Sequence, residues 1–159
     1  MARSVPTRPF RAGAVGLATL AAATLYPFAG QAQSVNDCDW VASARNLVEP
    51  WGDYTRTFSN GEVRIALLDT VEPAAGALHS LVLSPPRSEL GDRQCRVISY
   101  APGIGFPGLD FGQLDASYDP ATGLTFTVPG SIFENDVQVP RIIVFTLNQA
   151  TGEILTGLR

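Results

Sequence analysis

The sequence predicts a mainly β protein: an antiparallel meander folded into a small sandwich or open barrel, with one short N-terminal helix. About seven short β-prone runs follow one another along the chain, and turn-forming residues separate them. In the clearest run, Leu124–Val128, apolar residues alternate with threonines, as expected for a strand with one buried face.

The predicted helix spans Asp37–Val48. Its apolar residues recur at intervals of three and four positions, which places them on one face of a helix. Pro50 ends the run, and we expect Trp40 to lie on the buried face. These apolar residues are Trp40, Ala44, Leu47 and Val48.

Strands and tight turns make up the rest. A hairpin is predicted from Thr55–Phe58 and Glu62–Thr70, which an Asn-Gly pair separates, because Asn and Gly tolerate the positive φ angles of a tight turn. The apolar run Ala77–Leu83 ends at a Pro-Pro pair and is typical of a strand buried on both faces. The other predicted strands are Gln94–Tyr100, Leu124–Val128, Val137–Leu147 with Pro140 at a bend or an edge, and Glu153–Leu158.

Two turns share one pattern. In Tyr118–Leu124 and Leu147–Glu153, an Asp or Asn precedes Thr-Gly by three positions. An Asx side chain begins such a turn by accepting backbone hydrogen bonds, and Gly supplies the left-handed residue that lets the strands resume pairing. We therefore expect two hairpin connections.

The N-terminus is typical of a secretory signal peptide. Three arginines precede the uncharged run Ala12–Tyr26, which is shorter than the ~20 residues needed to cross a bilayer. Small residues at Gly30 and Ala32 predict cleavage after Ala32. The chain then divides into a signal peptide, residues 1–32, and a single disulfide-linked β domain, residues 33–159. We expect this domain to be periplasmic or secreted, with no membrane span.

The mature domain is acidic. The chain contains no Lys, and loss of the three N-terminal arginines leaves eight basic and fifteen acidic residues, a net charge of −7. Nucleic acids and anionic membranes are recognised through clustered positive charge, so this charge argues against both as partners. The expected partner is an envelope protein or another periplasmic component, and the oligomeric state stays open.

Cys38 and Cys95 are the two cysteines. In an oxidising compartment they predict one disulfide, which ties the predicted helix to the strand Gln94–Tyr100. A crosslink that closes so long a loop contributes about 4 kcal/mol by loop-closure entropy. A two-cysteine metal site is the alternative, but the single His and the lack of Cys-x-x-Cys spacing argue against it. No metal site and no cofactor is predicted.

No catalytic residue is predicted from a motif. His79 is the one imidazole in the chain and so the one ordinary general base near neutral pH. It shares a predicted strand face with Leu81 and Leu83, which favours a buried histidine. The alternative to a non-enzymatic module is a small periplasmic hydrolase in which His79 works with Asp69 or Asp110.

Two ligand patterns are weak. Gly103–Gly108 matches the dinucleotide-binding fingerprint letter for letter, but no predicted helix follows it and no βαβ unit surrounds it. Asp110, Asp115 and Asp119 offer oxygen ligands for calcium, although their spacing does not fit an EF-hand. The sequence leaves calcium binding open.

Four aromatic residues lie early in the mature domain: Trp40, Trp51, Tyr54 and Phe58. Core packing explains them most simply, and a recognition patch is the alternative. Trp51 follows the break at Pro50, so we expect it to be partly exposed. Trp51, Tyr54 and His79 are the candidate interaction residues of a binding module of the cell envelope.

A family likeness extends over most of the mature domain. It runs through Asn46–Trp51, Thr55–Gly61, Ala66–Gly76, Leu81–Pro86 and the strand that contains Cys95. Together these stretches resemble a group of small exported alphaproteobacterial proteins with no assigned activity. The resemblance implies a periplasmic or secreted domain and supplies no catalytic residues.

Overall fold

The chain forms two antiparallel sheets that pack face to face, which confirms the predicted small β sandwich. The structure is a computed structural model that describes Met1 and residues 33–159. The predicted signal peptide, residues 1–32, lies outside the described residues apart from Met1. Within residues 33–159, no helix is long and apolar enough to cross a membrane.

The first sheet has the strand order β1-β5-β4-β3-β2. Consecutive strands from β2 to β5 pair as hairpins, and β1 pairs antiparallel with β5 at one edge. This arrangement is the predicted meander with one added edge strand. The strands are β1 (Ser34–Asp37), β2 (Thr55–Phe58), β3 (Val63–Asp69), β4 (Leu78–Arg87) and β5 (Arg93–Ser99).

The second sheet has the order β10-β9-β8, with β6 and β7 both paired to the other side of β8. Pro140 pairs with Ser131 in a part of β9 that extends beyond β10, so it occupies an edge, as predicted. The strands are β6 (Gly108–Leu109), β7 (Asp115–Asp119), β8 (Gly123–Glu134), β9 (Val137–Leu147) and β10 (Ile154–Leu158).

Phenylalanines fill the space between the sheets. Phe126 and Phe145 stack with ring centroids 4.9 Å apart, and Phe58 packs edge-on against Phe126 at 5.0 Å. Phe106 and Phe111 enter the same cluster from loops outside the long strands and are fully buried. Burying each such ring stabilises the fold by about 1.5–3 kcal/mol, so this cluster is the main link between the sheets.

The predicted helix over Asp37–Val48 is wrong. The segment forms two single 3₁₀ turns, Trp40–Ala42 and Ala44–Asn46, because Ser43 between them is extended (φ −63°, ψ 143°). Polar side chains bond the local backbone in place of a helical ladder: Oδ1 of Asp39 accepts from the Val41 amide at 2.9 Å, and the Asn46 amide donates to two carbonyls.

This change reverses the burial expected for Trp40. Trp40 is 55% exposed, and its neighbour Val41 is buried instead. Val41 joins a second apolar cluster, with Leu68, Leu81 and Val97, on the outer face of the first sheet. The 3₁₀ segment therefore covers this face of the sheet, as the helix was expected to do.

The predicted disulfide is present. Cys38 and Cys95 are bonded, with their Cα atoms 5.5 Å apart. Asp37 pairs with Arg96 one position away, so the bridge continues the pairing of β1 with β5. Because no helix forms, the bridge ties β1 and the following 3₁₀ segment to β5.

The two Asx turns are confirmed. Oδ1 of Asp119 accepts hydrogen bonds from the amides of Ala121 and Thr122, and Oδ1 of Asn148 accepts from those of Ala150 and Thr151. The glycines that end these turns have left-handed φ angles of +108° and +78°. The first turn joins β7 to β8, and the second joins β9 to β10.

Several strand bounds differ from the prediction. The hairpin of β2 and β3 has a four-residue loop, in which Ser59, Asn60 and Gly61 all have positive φ. Strand β4 passes the Pro-Pro pair to Arg87, because a register shift after Ser84 spares the prolines from regular pairing. The short edge strands β1, β6 and β7 were not predicted as separate strands.

Candidate functional site

A cleft of about 730 Å³ opens where β2 of the first sheet faces β6 of the second. Tyr54 and Arg56 line it from the first sheet, and Leu109 and Asp110 line it from the second. It is broad and open to solvent, unlike the enclosed pockets that bury most of a small ligand. The cleft therefore has the size and shape to receive a partner's side chains.

The Arg56 guanidinium is fixed at this cleft. Its Nη1 donates to the carbonyl oxygens of Gly52, Asp53 and Thr55 at 3.2, 2.6 and 3.1 Å, and its Cζ lies 5.7 Å from the centroid of the Phe111 ring. A cation above an aromatic face is stabilised by the ring quadrupole. The charge is thus held in one position before any ligand arrives.

Acceptor groups lie on the opposite wall. The Asp110 amide donates to the Pro129 carbonyl at 2.7 Å, and Oδ2 of Asp110 accepts from Gln113. Ser131 lines the same wall and accepts a hydrogen bond from Gln138 at 2.7 Å. With Asp53 also in the lining, the cleft holds two carboxylates and one guanidinium.

Glycines line the cleft where β6 pairs with β8. A Cβ at Gly130 would lie 2.5 Å from the Gly108 carbonyl oxygen, and one at Gly108 would lie 2.6 Å from Oγ of Ser131. Both distances are too short for any side chain, so β6 can approach β8 here only through glycine. Backbone groups of these glycines are therefore part of the cleft lining.

One of the three predicted interaction residues lines this cleft, and a second lies three positions before it in the chain. Tyr54 lines the cleft, and its ring lies 6.5 Å from that of Phe111. Trp51 is 58% exposed, as expected, on the turn closed by the hydrogen bond from the Asp53 amide to the Pro50 carbonyl. The four early aromatics do not form one patch, however, since Phe58 packs in the core.

His79 lies elsewhere, in the interior. It is 2% exposed, and its Nδ1 lies 2.8 Å from Oγ of Ser99 on β5. Gly105 covers the other nitrogen, because a Cβ there would lie 2.8 Å from Nε2. Burial lowers the pKa of His79 despite the opposing charges of Asp39 and Asp69, so a neutral imidazole is favoured.

The hydrogen bond of His79 to Ser99 resembles that of a base and a nucleophile. The Asn36 amide lies at the limit of hydrogen bonding from the same Oγ, at 3.5 Å. Ser99 is as buried as His79, and none of the five cleft-like surfaces described for residues 33–159 is lined by either residue. Both side chains are thus closed to solvent, which does not favour the hydrolase hypothesis.

The carboxylates proposed as calcium ligands do different things. Asp110 lines the cleft, Asp115 is exposed on β7, and Asp119 begins the Asx turn. In the described part of the chain, no group of three or more His, Cys, Asp or Glu side chains is arranged to hold a metal ion. Asp69, the other carboxylate considered beside His79, accepts a hydrogen bond from the Val71 amide.

Sequence reasoning missed most of the cleft. Arg56 was placed within a strand without a role, and the glycines at positions 108 and 130 were assigned to a loop and to no element. The cleft joins segments more than fifty residues apart, so no local spacing marks it. Two signals were available: a run of Gly and Pro over 102–112, and an arginine on a predicted hairpin strand.

Comparison with known proteins gives no assignment. No family model, no curated protein and no solved structure matches this chain. What the domain does is therefore inferred from its own residues.

Proposed function

We propose that the mature domain is a non-enzymatic binding module of the cell envelope, periplasmic or secreted, that holds its partner in the cleft beside Tyr54. The observation that supports this most directly is the fixed pair of opposite charges on the two walls, Arg56 and Asp110. Preorganised charges of this kind give orientation and specificity to a bound partner.

The chemistry of the cleft fits recognition better than catalysis. Its lining contains no His and no Cys, and the one serine hydroxyl, on Ser131, is already bonded to Gln138. The groups that remain are the Arg56 guanidinium, two carboxylates, backbone amides and carbonyls, and the ring of Tyr54. These suit a polar segment of an envelope protein that presents both a donor and an acceptor.

Export of the domain is part of the same proposal. The disulfide between Cys38 and Cys95 is stable in an oxidising compartment and is rare in the bacterial cytosol. The amino-terminal pattern of residues 1–32 is the signal peptide that would direct export. A lysine-free acidic surface then limits nonspecific association with nucleic acid.

A site-specific crosslinking experiment tests the proposal. The full chain is produced in a bacterial host with a photo-crosslinking amino acid at Trp51, and a matched control has it at Leu90, which is 91% exposed in the turn between β4 and β5. We expect a discrete adduct from position 51 and none from position 90. The same adduct from both positions, or none from either, would contradict the proposal.

A blocking variant makes the result specific to the cleft. A Cβ at Gly112 meets only Oδ1 of Asp110, at 3.3 Å, and its φ is not left-handed, so Gly112→Trp is expected to fold and to fill the cleft. The adduct from position 51 should then disappear. An adduct that persists in Gly112→Trp would mean that the partner reaches position 51 without entering the cleft, and would contradict the proposed site.

A further inference from the structure

Strand β10 has an open edge. Ile142 and Arg159 exchange both backbone hydrogen bonds, at 2.8 and 2.9 Å, and the Asn148 amide donates to the Glu153 carbonyl. Backbone hydrogen bonds alternate along an antiparallel ladder. The amides and carbonyls of odd-numbered residues of β10 therefore bond to β9, and those of even-numbered residues point away from β9. Ile154, Thr156 and Leu158 therefore present their amides and carbonyls at the edge, and no described residue pairs with them there.

The edge strands β1, β2 and β7 each contain a charged residue, and β10 does not. At β2 the Thr55 carbonyl is occupied by Arg56, β7 contains Asp115 and Asp119, and β1 contains Asp37. Strand β10 has neither a charge nor a proline between Ile154 and Leu158. An uncharged, proline-free edge is a template for pairing with another strand.

Gln33 touches β10 but leaves this edge open. Its carbonyl accepts from Oγ1 of Thr156 at 3.1 Å, and its side-chain amide donates to the Gly157 carbonyl at 2.8 Å. Thr156 pairs with the core residue Phe145, so its side chain lies on the face that packs against the first sheet. Gln33 thus approaches from the core side.

We infer that two copies of this chain pair through β10, antiparallel and centred on Thr156, so that the second sheets join into one continuous sheet. In this register Thr156 lies opposite its counterpart, and Ile154 lies opposite Leu158 of the second copy. Both members of each pair have edge-facing amides and carbonyls, so the backbone bonds are complementary. An isologous contact of this kind closes with two-fold symmetry.

Charge complementarity selects both the occupant and the register. Centring on Thr156 places Glu153 of each copy directly opposite Arg159 of the other. Both side chains are exposed, and neither forms an ion pair within residues 33–159. Opposite charges directly across a strand pair are stabilising, and like charges are destabilising. Two such pairs offset the mutual repulsion of two acidic chains.

Sedimentation of the natively purified protein over a range of concentrations tests this inference. We expect a reversible, concentration-dependent dimer. Glu153→Arg alone and Arg159→Glu alone each convert both attractive pairs to repulsive ones, so each should raise the dimer dissociation constant by about tenfold or more. The double variant Glu153→Arg/Arg159→Glu is the matched control and should restore the original constant.

Thr156→Pro examines the backbone separately. The Thr156 amide does not bond to β9, so proline at this position leaves the intramolecular ladder intact and removes both central hydrogen bonds of the pairing, one from each copy. We expect this variant to be folded and monomeric, with folding verified by circular dichroism. A protein that stays monomeric at all concentrations, or a dimer unaffected by either single charge reversal, would overturn the inference.

Discussion

Nδ1 of His79 lies 2.8 Å from Oγ of Ser99, and both side chains are shielded from solvent. Because burial lowers the pKa of His79, the folded protein binds a proton less readily than the unfolded chain. The stability that comes from keeping the imidazole neutral is present above the unfolded pKa of about 6.5. It is lost progressively as the pH falls from that value toward the lower pKa of the folded state.

The melting temperature should therefore fall as the pH is lowered from about 8 to about 5, before most carboxylates titrate. His79→Gln keeps a polar amide near Ser99 but does not titrate, so its melting temperature should change less over this range. Thermal unfolding of the two proteins in parallel provides the measurement. Identical pH profiles would show that His79 does not govern the acid sensitivity.

Two buried serines on β4 are expected to respond in opposite ways to loss of their hydroxyls. Oγ of Ser80 has no partner among the described residues, whereas Oγ of Ser84 donates to the Pro85 carbonyl and accepts from Gln94 at 3.1 Å. Ser84→Ala should lower the free energy of unfolding by about 1–2 kcal/mol. Ser80→Ala should leave it unchanged or raise it. Urea unfolding measures the free energy of unfolding of each variant. Equal losses in the two variants would contradict the assignment of the Ser80 hydroxyl as lacking a hydrogen-bond partner.

Removing the disulfide should lower the free energy of unfolding but leave the pairing of β1 with β5 intact. The bridge joins residues 57 positions apart, and loop-closure entropy assigns such a crosslink about 4 kcal/mol. Cys38→Ala/Cys95→Ala should lose most of that amount in urea unfolding, with near-native far-ultraviolet circular dichroism. Because β1 stays hydrogen-bonded to β5, a collapse of the β spectrum would mean that the bridge, and not the ladder, holds β1 in place.

Alanine substitutions at three glycines should distinguish the cost of a left-handed backbone from the cost of a steric clash. Gly123 combines both effects, because its φ is +108° and a Cβ there would lie 2.2 Å from the Leu147 carbonyl oxygen. Gly61 has a φ of +90°, but a Cβ there would meet no atom within 4 Å. Gly52 has neither a left-handed φ nor an atom within 4 Å of such a Cβ. Alanine should cost the most at Gly123, about 1–2 kcal/mol at Gly61, and least at Gly52. Thermal unfolding gives the order, and a different order would refute the geometry.

Local chemistry made the hairpins predictable. Asp119 and Asn148 act within their own turns, and the strands beside them alternate apolar and polar residues, so a short window contains the whole signal. The disulfide was equally predictable from the sequence, since two cysteines leave one possible pairing. The sandwich follows because sheets with one apolar face must bury it against another layer.

The wrongly predicted helix over 37–48 shows that apolar spacing in a short segment does not always determine its structure. Apolar spacing over 37–48 matches a helix, but Asp39 and Asn46 bond the local backbone and Ser43 is extended, so the same residues cover the sheet as two 3₁₀ turns. Short edge strands such as β1 were also missed, because their pairing is fixed by distant partners. The cleft was missed for the same reason: Tyr54 was a candidate, but Arg56 and Gly130 meet only after both sheets form.

The contact of Gln33 with Gly157 brings the two ends of the described domain to one place. A short flexible linker from residue 159 to residue 33 would therefore span little distance, and the tip of the β4–β5 turn at Leu90 offers a solvent-facing position for new termini. The fold is suited to circular permutation, with its original ends fused and its cleft unchanged. A fusion partner at either original end would sit at the same corner of the sandwich.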